Sequence, residues 1–234
     1  MTKHVLLASV FAIGLLPVPA SAAEWTGLYV GLNAGGVFGD VDLVGVSEAT
    51  SYVEVFPGDR YQFEADGVLG GAQLGYNFVF GNWLVGVEAA GHSLSSDDRV
   101  LVPGEPNILD LETEWLASAS ARFGFVLSSS SLIYLKGGYA AASISTHYLD
   151  NVGGGATVGT YDTDEIHSGF VLGAGVEHMI SSDVSFGFEY NYVDLEEQTH
   201  SAIATGAGGG LVETNVEAEL HTVTARLNWN FWSP

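Results

Sequence analysis

Three triplets, Gly86-Val87-Glu88, Gly175-Val176-Glu177 and Gly187-Phe188-Glu189, set a carboxylate into stretches that otherwise alternate apolar with small residues. A period of two marks a strand. Its successive side chains point to opposite faces, so each Glu shares a face with its Gly while Val or Phe takes the other. The scarce cations obey the same rule: Arg122 lies in Ala117-Ser118-Ala119-Ser120-Ala121-Arg122-Phe123, Lys136 in Tyr134-Leu135-Lys136-Gly137, and Arg226 in Val223-Thr224-Ala225-Arg226-Leu227. A sheet with large apolar residues on one face and Gly, Ser, Asn and charges on the other is inside out relative to a soluble barrel. It suits a barrel surrounded by lipid. The competing arrangement, a soluble ligand-binding barrel, would bury Val85, Phe123, Phe188 and Trp229 and leave Glu88, Arg122 and Glu189 in water.

The N-terminus agrees with export. Lys3 and His4 precede an apolar run over residues 5–16, Pro17 and Pro19 interrupt it, and Ala20-Ser21-Ala22 offers a small-residue cleavage site. Residues 1–22 therefore read as a secretory signal and residues 23–234 as one barrel domain. A membrane-spanning helix needs about 20 apolar residues, which neither this run nor any later segment supplies, so entry into a bilayer falls to strands. The absence of Cys excludes a disulfide framework, a catalytic thiolate and a thiolate metal site. A formal charge of −22 excludes duplex nucleic acid as a partner, because phosphate binding needs clustered Lys and Arg. Thirty-one Gly and 12% aromatic residues would be odd for a disordered acidic chain, so this one folds.

The alternation predicts an all-β fold: an eight-stranded antiparallel up-and-down barrel with short periplasmic turns and four long extracellular loops. Strand one puts Leu28, Val30, Leu32 and Ala34 outward and Tyr29, Gly31, Asn33 and Gly35 inward; the remaining strands repeat the scheme, with Gly81-Asn82, Ser128 to Ser131 and Ser181-Ser182-Asp183 as short turns. Outward aromatics gather near those turns as one interfacial girdle: Phe78, Phe80, Trp83, Phe123, Phe125, Phe186, Phe188, Trp229 and Phe231. The inward charges Glu88, Arg122, Lys136, Glu177, Glu189 and Arg226 each lie five or six residues from the short-turn end, about 12 to 14 Å deep at ~3.3 Å per residue and ~45° tilt. They form one layer, and neighbouring strands pair Glu88 with Arg122, Lys136 with Glu177 and Glu189 with Arg226, strand stagger permitting a shift by one strand. A barrel of about eight strands is just wide enough for side chains to fill, which favours a closed interior. The many inward glycines nonetheless leave room for a narrow water path.

The long connections fall near residues 39–63, 95–113, 146–167 and 194–217 and hold most of the acidic residues, so the outer rim is expected to be anionic and hydrated. A sharper expectation has Asp97, Asp98, Asp162, Asp164 and Glu165 holding Ca²⁺ or Mg²⁺ that bridge to lipopolysaccharide phosphates, although no Asp-x-Asp-x-Asp-Gly loop is present. Gly153-Gly154-Gly155 and the Gly206 to Gly210 run lack a following Gly-Lys-Ser/Thr and so read as loop tips rather than phosphate cradles. His92 near Ser93, Ser95 and Asp97, and His167 near Ser168, Asp164 and Glu165, are the only candidates for hydrolytic chemistry. Such a His is far more often a solvated loop residue than a base, and the expectation is no enzyme and no resident cofactor or metal.

Trp25-Thr26-Gly27-Leu28-Tyr29-Val30-Gly31, Gly75-Tyr76-Asn77, Gly86-Val87-Glu88, Gly173-Ala174-Gly175-Val176-Glu177 and Glu189-Tyr190-Asn191-Tyr192 resemble the small outer-membrane surface-antigen barrels of the OmpA-like superfamily, often labelled porin-family or opacity-type proteins. The likeness covers the mature chain. It implies a bacterial outer-membrane barrel with a structural or surface role, sometimes weak pore activity, no cofactor, and folding by the barrel-assembly machinery. The family ends on an aromatic residue that this machinery reads, whereas here Trp232-Ser233-Pro234 follow Phe231; the strand is expected to end at Phe231, leaving Phe231 and Trp232 as alternative signals. The periplasmic peptidoglycan-binding domain of some relatives is not expected. The leading function is structural support and surface display, and the alternative is a narrow channel for small solutes.

Overall fold

The computed structural model describes residues 25–47, 57–101, 108–152, 156–203, 205–206 and 211–232. The signal segment, Gly153-Gly154-Gly155 and the tip at 207–210 lie outside them. Among the described residues ten strands form: β1 (Gly27–Ser47), β2 (Arg60–Glu64), β3 (Gly67–Phe80), β4 (Trp83–Leu101), β5 (Ile108–Ser128), β6 (Ser131–Val152), β7 (Ala156–Met179), β8 (Val184–Ile203), β9 (Thr205–Gly206) and β10 (Leu211–Trp232). Eight make an antiparallel ring in the order β1-β3-β4-β5-β6-β7-β8-β10, closed by the β1–β10 ladder that sets Asn33 opposite Arg226. Closure leaves no sheet edge in lipid, the condition for spanning a bilayer with strands. Short β2 and β9 lie at the loop end, where β2 pairs with residues 40–44 of β1 and β9 with Gly159 and Thr160 of β7. At the other end Gly81, with a φ of 63°, takes the first position of a two-residue hairpin turn, where only glycine adopts positive φ without strain. Ser181 Oγ accepts hydrogen bonds from the amides of Asp183 (3.4 Å) and Val184 (3.1 Å), fixing the β7–β8 turn.

Ring strands run from 14 to 24 residues, whereas a tilted crossing needs about 9–11. The wall therefore continues past the lipid, and much of what alternation assigned to loops is paired strand. Along β1 the parity of side chains is constant while their chemistry inverts. In the lower storey Val30 and Leu32 face out and Tyr29 and Asn33 face in; in the upper storey Asp40 and Asp42 face out and Val41 and Leu43 are buried. The same exchange occurs on β10, where Leu227 and Trp229 are exposed below, and Glu217 and Glu219 above, around buried Val216, Ala218 and Leu220. The lower storey has the pattern of a lipid-embedded barrel and the upper that of a water-soluble one. The outward apolar band spans roughly residues 28–38 of β1, 170–180 of β7, 186–192 of β8 and 223–231 of β10.

The nine turn-end aromatics all lie on the outer face, Phe125 half-buried and the others exposed, with Trp83 against Phe123 (5.2 Å between ring centres) and Phe125 (4.9 Å). Rings also collect at the opposite boundary, where His221 stacks on Phe38 at 5.3 Å and touches Tyr192 at 5.3 Å. Outward rings thus gather at both ends of the apolar band, not at the turn end alone. One end-point differs from the sequence reading: β10 runs to Trp232, not Phe231. The register shifts between Leu28 and Tyr29, so Phe231 bulges and the Trp232 backbone still pairs with Leu28; only Pro234 is barred from a ladder.

Candidate functional site

The lumen is built in four levels. At the turn end Trp25, Leu84, Val126, Leu132 and Met179 form an apolar floor, and Trp25 Nε1 donates to the Ser129 carbonyl at 3.0 Å. Above it lies the charged layer. All six ionisable residues are buried, at 5% exposure or less. Glu88 is the hub: Lys136 Nζ lies 3.0 Å from one of its oxygens, Arg122 3.7 Å from the other, and Arg226 bonds it as well. Lys136 also reaches Glu189 at 2.7 Å, Arg226 pairs with Glu189, and Arg122 Nη2 meets Glu177 at 2.6 Å. Three carboxylates against three cations make the layer neutral.

Two of the three expected contacts exist, but Lys136 does not pair with Glu177. In the β6–β7 ladder Lys136 stands opposite Gly173, and Glu177 opposite Leu132 further down, so the two are out of reach along the wall. Lys136 instead crosses the lumen to Glu88 and Glu189, and Glu177 turns to Arg122. Alternation places residues on a face; it does not set stagger or cross-lumen reach.

Two tyrosines complete the layer. Tyr29 Oη donates to Glu88 at 2.7 Å and accepts from Arg122 at 2.5 Å; Tyr134 Oη donates to Glu189 at 2.7 Å and accepts from Arg226 at 3.1 Å. The Arg122 guanidinium lies 3.9 Å from the centre of the Tyr134 ring, a cation–π contact. Sequence reading placed both tyrosines inward but missed this role. The signal was the glycine facing each one: Tyr29 stands opposite Gly75 and Tyr134 opposite Gly175, and a Cβ on either glycine would sit 2.3 Å from the facing ring. The sequence suggested room beside the inward glycines, and at several of them neighbouring side chains stand where a Cβ would be. A neighbour fills each gap: Asn228 and Gln73 over Gly31, Asn191 and Lys136 over Gly173, Glu177 over Gly187. Close packing claims the volume that a missing side chain vacates.

A polar level follows, in which Asn33 Nδ2 donates to Gln73 Oε1 at 2.6 Å and Gln73 Nε2 to Asn228 Oδ1 at 2.7 Å. The fourth level is an apolar cork inside the upper storey. Val41, Leu43, Phe63, Leu111, Ile144, Val193, Leu195, Val212 and Leu220 are among its buried members.

The histidine candidates are wall residues, not loop bases. His92 is half-buried on β4, opposite Gly71 and Leu116, whereas Ser93 and Ser95 are exposed. His167 is fully buried on β7 with its Nε2 2.8 Å from His200 Nε2, while Asp164 faces out and accepts from Ser143 Oγ at 2.7 Å. Neither constellation aligns a nucleophile with a base. Both were misplaced because strand pairing extends through the segments read as loops. Among the described residues no group of three or more His, Asp or Glu could hold a metal ion. The side chains of Asp97 and Asp98 lie outside the described ones; Asp162 and Asp164 stand exposed on the outer wall, and Glu165 is exposed but on the opposite face of β7.

The chain is 27% identical over 223 residues to the 31 kDa outer-membrane immunogenic proteins of Brucella melitensis and Brucella suis, covering 91% of this chain and 86% of theirs. Among solved structures it is similar to Neisserial surface protein A, at 16% identity, 88% and 98% coverage of the two chains and a TM-score of 0.47. It is also similar to OprG of Pseudomonas aeruginosa, at 12%, 88% and 97%, with a TM-score of 0.45. The family model for the outer membrane protein beta-barrel domain matches residues 8–231, nearly the whole sequence; the chain belongs to that family and is a β-barrel protein of the bacterial outer membrane.

Proposed function

We propose that this barrel is a non-catalytic structural and surface component of the outer membrane, with a lumen closed to solutes and an acidic, hydrated outer wall above the lipid. The carrying observation is the double closure along the axis: a neutral lattice of buried ion pairs, then a packed apolar cork. An ion threading the axis would have to break paired charges in a low-dielectric space and then cross apolar packing, both strongly unfavourable. The outward carboxylates Asp40, Asp42, Glu217 and Glu219 keep the protruding wall in water and oppose its insertion or aggregation. Reconstitution of the purified protein in a planar bilayer is the test. No stepwise conductance is expected, and steady, ion-dependent openings would establish the narrow-channel alternative instead.

A further inference from the structure

Above the lipid band, the wall parts between β7 and β8. Among the described residues their ladder runs from Gly169–Leu195 down to Met179–Ser185, although β7 starts at Ala156 and β8 continues to Ile203. The cause lies one strand away. Val216 of β10 pairs with Gln198 and Ala218 with Leu195, so Glu196 and Glu197 share the single partner position of Glu217. This bulge re-aims the top of β8 along β10, while the top of β7 follows β6, to which it stays paired up to Val152–Ala156.

The gap is bounded above by the pairing of β9 with Gly159 and Thr160 of β7, and side chains close the stretch between the two ladders. His200 on β8 sets its Nε2 2.8 Å from His167 Nε2 on β7, and its Nδ1 lies 2.8 Å from Thr163 Oγ1 of β7 and 3.3 Å from Thr146 Oγ1 of β6. Both rings are buried, at 0% and 1% exposure.

We propose that His167 and His200 form an acid-released clasp that holds the β7–β8 seam shut. One Nε2 must donate and the other accept, so the contact exists only while at least one ring is neutral. A proton on each ring removes the acceptor and sets two cations against each other in a site with no buried counter-charge among the described residues. The inward neighbours are Ile144 on β6, Val171 on β7, Leu195 on β8, and Val212, Thr214 and Val216 on β10, all apolar or hydroxylic. The nearby charged groups are not buried: Asp162 and Asp164 on the outer face of β7, Glu165 on the same face of β7 as Thr163 and His167 but exposed, Glu196 and Glu197 exposed on β8, Glu213 half-buried on β10, and His147 on β6 beside Asp162 at 2.8 Å. Of these Asp164 acts on His200 and opposes the effect, yet burial and the His167 charge prevail and hold the ring down at about 4 against an ordinary 6.5. The parted state, with its rings in water, therefore binds more protons. Closure is fully present above pH 6.5 and weakens as pH falls toward 4.

Hydrogen exchange of the full-length protein in detergent micelles tests this, with rates corrected for the intrinsic effect of pH. From pH 7.5 to pH 5, amides at 162–168 and 196–202 are expected to open roughly 30-fold more often, the ratio that a shift from 6.5 to about 4 on His200 allows. Those at 170–178 serve as a control that does not change. His200→Gln removes one of the two titrating rings and is expected to reduce the pH dependence strongly, leaving only the part that buried His167 contributes; ring-nitrogen NMR titration of the unsubstituted protein gives an independent reading if that variant does not fold. Seam amides that exchange alike at both pH values, pH dependence that is undiminished in His200→Gln, or a His200 ring titrating near 6.5 would each overturn the clasp.

Discussion

Replacing Glu88 with Ala is expected to lower the unfolding free energy by about 3–5 kcal/mol, the usual consequence of leaving a buried charge without its partner. Glu88 is the sensitive position because it answers Lys136, Arg122 and Arg226 together and accepts from Tyr29. Its loss leaves three cations facing two carboxylates, Glu177 and Glu189, in a buried site. The net worth of the intact lattice is a separate matter, since desolvation offsets much of its Coulomb attraction. Urea unfolding in phospholipid vesicles, followed by the mobility difference between unheated and boiled samples, measures the change. A loss under about 1 kcal/mol, the worth of an exposed pair, would mean that the layer is hydrated and not sealed.

Phe63→Ala is expected to cost about 3–5 kcal/mol, the range for truncating a fully packed aromatic ring. Phe63 has 0% exposure and sits on β2 opposite Val41 of β1, inside the cork and beyond the lipid. An extramembrane loop residue would respond by less than about 0.5 kcal/mol. Because upper-storey opening need not unfold the lipid-embedded ring, the loss is read from hydrogen exchange at residues 40–44 and 61–64. Exchange there that is fast in the parent protein and unaffected by the substitution would show that this storey is not packed.

The lower storey was legible because lipid outside and a narrow lumen inside leave few choices per position. Gly86-Val87-Glu88 and Ala121-Arg122-Phe123 assign each side chain to a face without further information. The upper storey was harder to read because its alternation runs acidic-out and apolar-in, and a carboxylate every second residue resembles a solvated loop. Asp40-Val41-Asp42-Leu43 and Glu217-Ala218-Glu219-Leu220 carry the same period of two as the strands below them. What changes at Phe38 and Gly39 is the solvent outside the wall, not the secondary structure. Register was beyond reach for a different reason. Bulges at Glu196–Glu197 and between Thr113 and Trp115 insert a residue on one strand only, which shifts parity and stagger without any mark that composition records. The meeting of His167 with His200 depended on the first of these bulges, whereas Lys136 was mispaired because its side chain crosses the lumen to Glu88 and Glu189, a reach that alternation does not record.

The most direct test of the two-storey barrel uses its lack of native Cys: single spin labels placed in turn at residues 29–43 of β1 in lipid vesicles, with collision rates measured for oxygen, which concentrates in lipid, and for a water-soluble nickel chelate. The account predicts oxygen-accessible labels at 30, 32 and 34, nickel-accessible labels at 40 and 42, and labels screened from both at 33, 37, 41 and 43. Nickel access at 41 and 43 equal to that at 40 and 42 would contradict it, by showing water where the apolar cork should be.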